Sequence, residues 1–440
     1  MLPPVGARAW ILVLFALPGC DRPLGPTEAT VLSSDLRGNQ WVIADLRDDT
    51  ITDSYPLSEL DPGVCEGAEN PVHCLLFESR VRDAADGAQE IDFTWSALDS
   101  GDGDDEARDD LLARLAGVDR EDHSTRWSVR GLDFSGFPET GCSPDPADPC
   151  AIDPAATAAE AWNCSLRMAH TVWVTDETDA DVSMWVVDSR NNRLVDLTVP
   201  RDGTCAVVNR LVDAEHAPDW DVYVSVNSLI RAEIDGEETL LMTVKGSLPD
   251  TKSGEEQEGG SSRGKVLLWR EDPLAQLWEF PPETTGTESF ANTPHGVASL
   301  ERPDGERWVL FAQSLGASDR PDYGFGSGGS VTVLRLDADG PVYLYDAILP
   351  ESQGVLRFPR DITPLPDGRV LVSDSGCLGD RCDYPTGLWV LDLPDAAPTG
   401  KTGAWSADHA QQELLTVEAD DGPYLSALDM IFSTDVLPGE

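Results

Sequence analysis

Lysine is almost missing from this chain. Among 440 residues there are four, Lys245, Lys252, Lys265 and Lys401, and Lys plus Arg total 31 against 80 Asp plus Glu, a formal net charge of −49. That balance excludes a sequence-independent grip on nucleic acid or on anionic headgroups, both of which need clustered cations to displace counterions. Long apolar sequence is also scarce: the run from Ala9 to Ala16 (AWILVLFA) is too short to cross a bilayer as a helix, and no later run is longer. No Cys-x-x-Cys occurs and no His stands at ligand spacing from Cys377 and Cys382, which argues against zinc. No Gly-x-Ser-x-Gly occurs, so a serine nucleophile elbow is not expected. The acidic stretch from Asp99 to Asp110 lacks the ligand order of a calcium-binding helix-loop-helix and reads as a solvated loop, so calcium has no specific motif behind it. No cofactor or metal is expected. What is ample is apolar residues, 40% of the chain, enough for a sizeable core.

The N-terminus gives an address. Arg8 precedes the short apolar run, and LPGC follows, ending at Cys20. The segment resembles a bacterial lipoprotein signal, which implies cleavage before Cys20, diacylation of its sulfur, and a protein held in the bacterial cell envelope by lipid, facing the periplasm or the exterior. An ordinary secretory signal is the alternative. On the first reading, residues 1–19 are the signal, 20–30 a tether, and the membrane is a partner through the N-terminal lipid. Eight cysteines then remain, an even number suited to disulfides in an exported chain, although they permit 105 pairings. Short loops suggest Cys65 with Cys74, Cys142 with Cys150 and Cys377 with Cys382, leaving Cys164 with Cys205.

A repeat organises the rest. Four segments open on a polar residue in a β-rich run: His170 (HTVWV), Asp221 (DVYVSV), His295 (HGVASL) and Asp361 (DITPL). A second run follows in each and ends in Ser189, Ser247, Ser314 or Ser375; a third and fourth follow, the last being CAVVNRLV, LAQLWEF, PVYLYDAI and QELLTVEA. Turn sequences such as PDGE and PDGR punctuate them. Four short strands recurring at 51, 74 and 66 residues, measured between openings 170, 221, 295 and 361, are the mark of β-propeller blades. A single four-stranded sheet cannot bury both faces, and radial stacking buries them. The expected architecture is all-β, a propeller over residues 31–435 with six blades, five or seven remaining open. Its clearest blades span about 165–420. The C-terminal run YLSALDMIF is expected to close the ring by pairing with N-terminal strands such as QWVIADL from Gln40. Within an irregular region at 99–162, residues 104–117 and 153–162 read as short helices, and RWSVRGLDF from Arg126 as a further blade opening. Strand-interior Trp173, Trp185, Trp269 and Trp389 read as packing between blades.

In an antiparallel pair, the start of the first strand and the end of the second share an edge. The openings His170, Asp221, His295 and Asp361, with Arg360 beside the last, are therefore expected around one end of the central channel. Such a set suits acid/base work, oxyanion binding or a metal; equally, polar residues at strand openings can serve only to bridge blades. At HGVASLERPDGERWVLFAQS and RDITPLPDGRVLVSDSG the chain resembles the exported six-bladed propellers that include arylsulfotransferases, gluconolactonase-type hydrolases and NHL-repeat proteins. The arylsulfotransferase resemblance implies a channel histidine as sulfated nucleophile, a place His295 and His170 match, with Arg360 holding the anion. The gluconolactonase resemblance is served by the carboxylates Asp221 and Asp361. The leading expectation is a ligand- or protein-binding module whose partner is a small molecule or another envelope protein, with no nucleic acid. The competing expectation is an enzyme using His295 as nucleophile or general base, His170 as its partner and Arg360 as anion clamp.

Overall fold

A computed structural model describes residues 29–57, 74–97, 112–213, 226–244, 264–280, 294–314, 329–349, 356–376, 386–394 and 414–437, apart from a few positions within them. The signal segment with Cys20, the acidic stretch at 99–110, Asp221, Ser247, Cys65, Cys377 and Cys382 all lie outside the described residues.

Six antiparallel sheets are arranged as the blades of a propeller. Blade 2 contains Cys74–Asp83, Gln89–Ala97, Leu112–Asp119 and Thr125–Val129. Blade 3 contains Ala169–Glu177, Asp181–Asp188, Arg193–Pro200 and Ala206–Val212. Blade 4 contains Val226–Ile234, Glu237–Val244, Lys265–Arg270 and Ala275–Phe280. Blade 5 contains Pro294–Glu301, Arg307–Gln313, Ser330–Asp337 and Gly340–Ile348, and blade 6 contains Pro359–Pro364, Val370–Asp374 and Gly387–Leu391. Blade 1 closes the ring from both ends of the chain: Ile431–Val436 is innermost and pairs with Thr30–Asp35, which pairs with Gln40–Asp45 and then Thr50–Pro56.

Strand alternation explains the stacking. Each blade presents apolar side chains to both neighbours, and six buried clusters fill the six junctions; Trp185 and Trp269 sit between blades 3 and 4, and Trp389 between blades 5 and 6. A small seventh cluster, Leu36, Phe77 and Met430, lies near the axis.

Several expectations are corrected. Residues 112–119 are a strand, not the second half of a helix: Leu112 pairs with Ala97 and Asp119 with Glu90, and Leu115 and Val118 are buried toward blades on opposite sides. A short apolar run carries too little period to separate helix from strand, and pairing decides it. Gly117 is not a helix stop; a Cβ there would lie 2.1 Å from the Trp127 indole nitrogen, so glycine admits the ring. In 153–162 the described residues show a helix start near the end of the expected segment: Thr157 accepts from the Glu160 amide at 3.3 Å, Glu160 accepts from the Thr157 amide at 2.7 Å, and the Cys164 amide donates to the Glu160 carbonyl at 3.3 Å. The segment from Arg126 opens no blade: Thr125–Val129 is the outer strand of blade 2, and Leu132–Asp133 joins blade 3 in parallel beside Ala206 and Val207. QELLTVEA does not complete blade 6 directly. Its Leu414–Thr416 adds a parallel fifth strand to blade 5, and bridges from Ala419 to Leu391 and from Tyr424 to Leu388 then cover blade 6.

The disulfide pairing also differs. Cys142 joins Cys164 and Cys150 joins Cys205, with Cα separations of 4.8 and 5.2 Å. Loop length suggested the opposite arrangement; the parallel pairing of Leu132 with Ala206 brings the segment carrying Cys150 to Cys205 instead, through the close approach of Gly131 to the Cys150 carbonyl.

Candidate functional site: the channel mouth

Every innermost strand is irregular at the same place. In blade 3 the pairing jumps from Ala169–Asp188 to Thr171–Val187, leaving His170 as an extra residue; in blade 4 Asn227 is the extra residue, and in blade 6 Arg360. Blades 1, 2 and 5 skip two positions, Phe432 with Ser433, Phe77 with Glu78, and His295 with Gly296. A bulge re-aims a side chain, and six of them around the axis gather Glu78, His170, Asn227, His295, Arg360 and Phe432 about one cavity.

His170, His295, Arg360 and Asp361 thus reach the expected place. Asp361 lies one position beyond the bulge. Blade 4 contributes Asn227, next to the start of its described inner strand at Val226; Asp221 lies outside the described residues. The residues not anticipated are Asn227, Glu78, Phe77 and Phe432. Ser189, Ser314 and Ser375 do follow the second strands and are buried; the Ser314 hydroxyl donates to the Pro359 carbonyl at 2.9 Å, and Ser375 accepts from Arg360 Nε at 3.1 Å.

The cavity they enclose is about 20 Å3, room for a single water. Phe432 occupies much of the axis. Its ring centre lies 5.5 Å from that of His170 and 6.3 Å from that of His295, with the Arg360 guanidinium carbon at 5.9 Å. His170 also stacks on Phe77 at 4.8 Å.

His295 is held at both nitrogens. Arg360 Nη1 meets Nε2, and the Asn227 side-chain amide lies 2.5 Å from Nδ1. A guanidinium only donates, so the Arg360 contact uses the Nε2 lone pair and places the ring proton on Nδ1. In the structure the Asn227 Nδ2 faces Nδ1 and donates to the Pro294 carbonyl at 3.2 Å, with Oδ1 buried without a hydrogen bond; turning the amide over would let its oxygen accept the ring proton but would lose the bond to Pro294. Burial lowers the Arg360 pKa to about 10, against the opposing pull of Asp374. Asp374, itself raised by burial, is fixed by the amides of Arg357, Phe358 and Gly376.

Carboxylates occupy the other side. Glu78 accepts from Arg80 Nε at 2.5 Å and from the Thr171 hydroxyl; burial raises its pKa to about 7, with Asp361 adding to the rise and Arg80 opposing it. Asp361 is raised to about 6, again chiefly by burial, and accepts the Thr434 amide at 3.1 Å.

Together these bonds run around the whole ring. The Thr171 hydroxyl gives its one proton to Glu78, joining blades 2 and 3, and its oxygen stands 3.5 Å from the Asn227 carbonyl of blade 4. Asn227 meets His295, and His295 meets Arg360. Thr363 donates to the Thr434 carbonyl at 2.6 Å, and the Ser79 amide donates to Ser433 at 3.0 Å, which closes the circuit. Gly296 lets blades 5 and 6 approach, since a Cβ there would stand 2.5 Å from the Asp361 Cα. Chemically, the arrangement can fix one water or a small polar group. Among the described residues, no group of three or more His, Cys, Asp or Glu side chains is placed to hold a metal ion.

No protein-family model and no curated protein matches the chain. Among solved structures it is similar to a hypothetical selenium-binding protein from Sulfolobus tokodaii (11% identity, 93% of this chain and 78% of that one, TM-score 0.47). It is similar also to a protein of unknown function from Bacteroides caccae (12%, 94% and 100%, 0.43) and to Kuenenia stuttgartiensis hydrazine synthase (12%, 83% and 74%, 0.40). The propeller assignment rests on this chain's own strand order.

Proposed function

We propose that the protein is a lipid-anchored cell-envelope β-propeller that acts as a binding module through its surfaces, with the channel mouth serving to lock the ring. One observation carries the reading: the Nε2 lone pair of His295, which a nucleophile or general base would have to offer, faces Arg360 inside a cavity of about 20 Å3. The anchor rests on the signal-like segment ending at Cys20. The competing reading, a channel enzyme of arylsulfotransferase-like or lactonase-like type, draws its support from the convergence of His170, His295 and Arg360 on that cavity.

Two measurements test the proposal. Purified protein incubated with aryl sulfates and lactones is expected to give no turnover; turnover that His295→Ala abolishes without lowering the melting temperature would overturn the binding-module reading. For the anchor, the wild type expressed in a bacterium is expected in the membrane fraction and labelled by a fatty acid, and Cys20→Ala in the soluble fraction without label. Equal partitioning of the two would overturn the anchor.

A further inference from the structure

On the face of the ring opposite the channel mouth, blades 4 and 5 part to form a groove of about 850 Å3. It is bordered by the far ends of the inner strands, at Ile234 and Glu301, and by the turns at Glu237 and Gly305, whereas the channel side chains come from strand starts. Its size falls within the range of ligand clefts, about 300–1,000 Å3.

The floor is apolar and shaped by a bulge. In the outer strand of blade 4, Leu268 pairs with Trp278 and Trp269 with Gln276, leaving Leu277 as the extra residue. Regular alternation would send Leu277 and Trp278 to opposite faces of the sheet; here both border the groove, beside Leu268 and Leu336. Leu277 is 41% exposed, one of three large apolar side chains so placed among the described residues. The edge of the ring therefore sets the exposed Leu277 beside the half-buried Trp278, itself packed against the core between blades 4 and 5, at one concave spot.

The rim is charged but largely paired within itself. Arg335 forks onto Asp337 through Nε at 2.7 Å and Nη2 at 2.8 Å, and Glu306 stands 3.7 Å from it. Arg307 lies 3.9 Å from Glu301 and donates to the Glu233 carbonyl. The hydrogen bond from Arg335 holds the Asp337 carboxyl below its ordinary range. Carboxylates outnumber guanidiniums on the lining, so an anionic ligand is repelled. Much of the positive charge that they would attract is already supplied in place, by Arg335 on Asp337 and near Glu306, Arg307 near Glu301, and Arg270 3.9 Å from Glu237. What remains is a fixed edge of N–H donors and carboxylate lone pairs beside an apolar floor. A sugar ring is its complement: C–H faces lie on an indole, and hydroxyls, each both donor and acceptor, meet the paired charges at the edge.

We infer that the groove between blades 4 and 5 binds a short neutral oligosaccharide, stacked on Trp278 and Leu277 and hydrogen-bonded by Arg307, Arg335 and Glu306. The inference rests on the binding-module reading and names its ligand class.

Calorimetric titration of the full chain with neutral gluco-, xylo- and manno-oligosaccharides, alongside an acidic galacturonate oligomer and spermidine, tests it. At least one neutral sugar is expected to bind, Trp278→Ala to weaken that binding by about tenfold or more, and Leu277→Ser to weaken it less, both with melting temperatures near wild type. Because Trp278→Ala could disturb the blade, the exposed Leu277→Ser and the charge-removing Glu306→Gln serve as independent arms. Absence of binding across the neutral set, binding untouched by all three substitutions, or preference for spermidine or galacturonate would each overturn the inference and leave the binding-module reading standing. Hydrolysis of a bound sugar would overturn the binding-module reading itself.

Discussion

Glu78 is where the channel's chemistry is most exposed to measurement. Its folded pKa of about 7 stands above the ordinary carboxylate value of 4.5, so between those limits the folded chain keeps a proton that the unfolded chain has lost. Stability therefore falls as pH rises through that window. Glu78→Gln should flatten this slope between about pH 5 and 8 in denaturant unfolding, whatever the constant cost of leaving Arg80 without that carboxylate. Asp361, raised to about 6, leaves a smaller slope of the same sign in the variant. Unchanged slopes in the variant would place the titration elsewhere. His170, His295, Arg360 and Asp361 were legible in the sequence because each follows the turn-to-strand transition that opens a repeat. Asn227 was not, since the run from Asp221 reads as a strand opening just as well and a bulge leaves no mark in residue types. Phe432 was hidden for another reason: it arrives from the closing strand at the far end of the chain.

At the scale of elements, runs of alternating residues between turn signals located most strands of blades 3 to 6 and the closure of the ring from both chain ends, but not its partners: the closing strand is Ile431–Val436, centred beyond the YLSALDMIF run, and it pairs with Thr30–Asp35, not with Gln40–Asp45. What pattern did not reveal was which sheet a run joins. Leu414–Thr416 has the composition of a fourth strand for blade 6 yet pairs with blade 5, because a parallel neighbour about one blade away in sequence is invisible to local spacing. The cysteines failed similarly: proximity in sequence favours Cys142 with Cys150, whereas strand pairing brings Cys150 to Cys205. Non-reducing peptide mapping should recover Cys142–Cys164 and Cys150–Cys205 linkages; a Cys142–Cys150 peptide would contradict the pairing of Leu132–Asp133 with the blade 3 edge. Replacing Cys150 and Cys205 together with Ser should lower stability by about 2–4 kcal/mol, the range for losing a native cross-link, and free Leu132–Asp133 from that edge in hydrogen exchange.

Across the molecule, several of the scarce cations join one blade to the next. Arg82 meets buried Glu90 at 2.5 Å within blade 2 and reaches Glu177 of blade 3 at 2.5 Å, while Arg126 meets Glu90 at 2.9 Å from the outer strand of the same blade. Between blades 3 and 4, Glu271 takes Arg210 at 3.1 Å, Arg231 at 2.7 Å and the Trp185 indole at 3.1 Å. Arginine suits these places because its planar fork serves several acceptors at once. The net charge of −49 thus coexists with a ring stitched by guanidiniums, and the channel mouth continues the same pattern, with Arg360 on His295 joining blades 6 and 5. If those two residues lock the ring, their contributions to stability must depend on each other. A double-mutant cycle on His295→Ala and Arg360→Ala, read by denaturant unfolding, tests this most directly. Each single change should destabilise the protein, and the pair should show a coupling of about 1–3 kcal/mol, as residues in direct contact do. Variants that fold with wild-type stability, or whose effects simply add, would contradict the account and return His295 to consideration as a catalytic group.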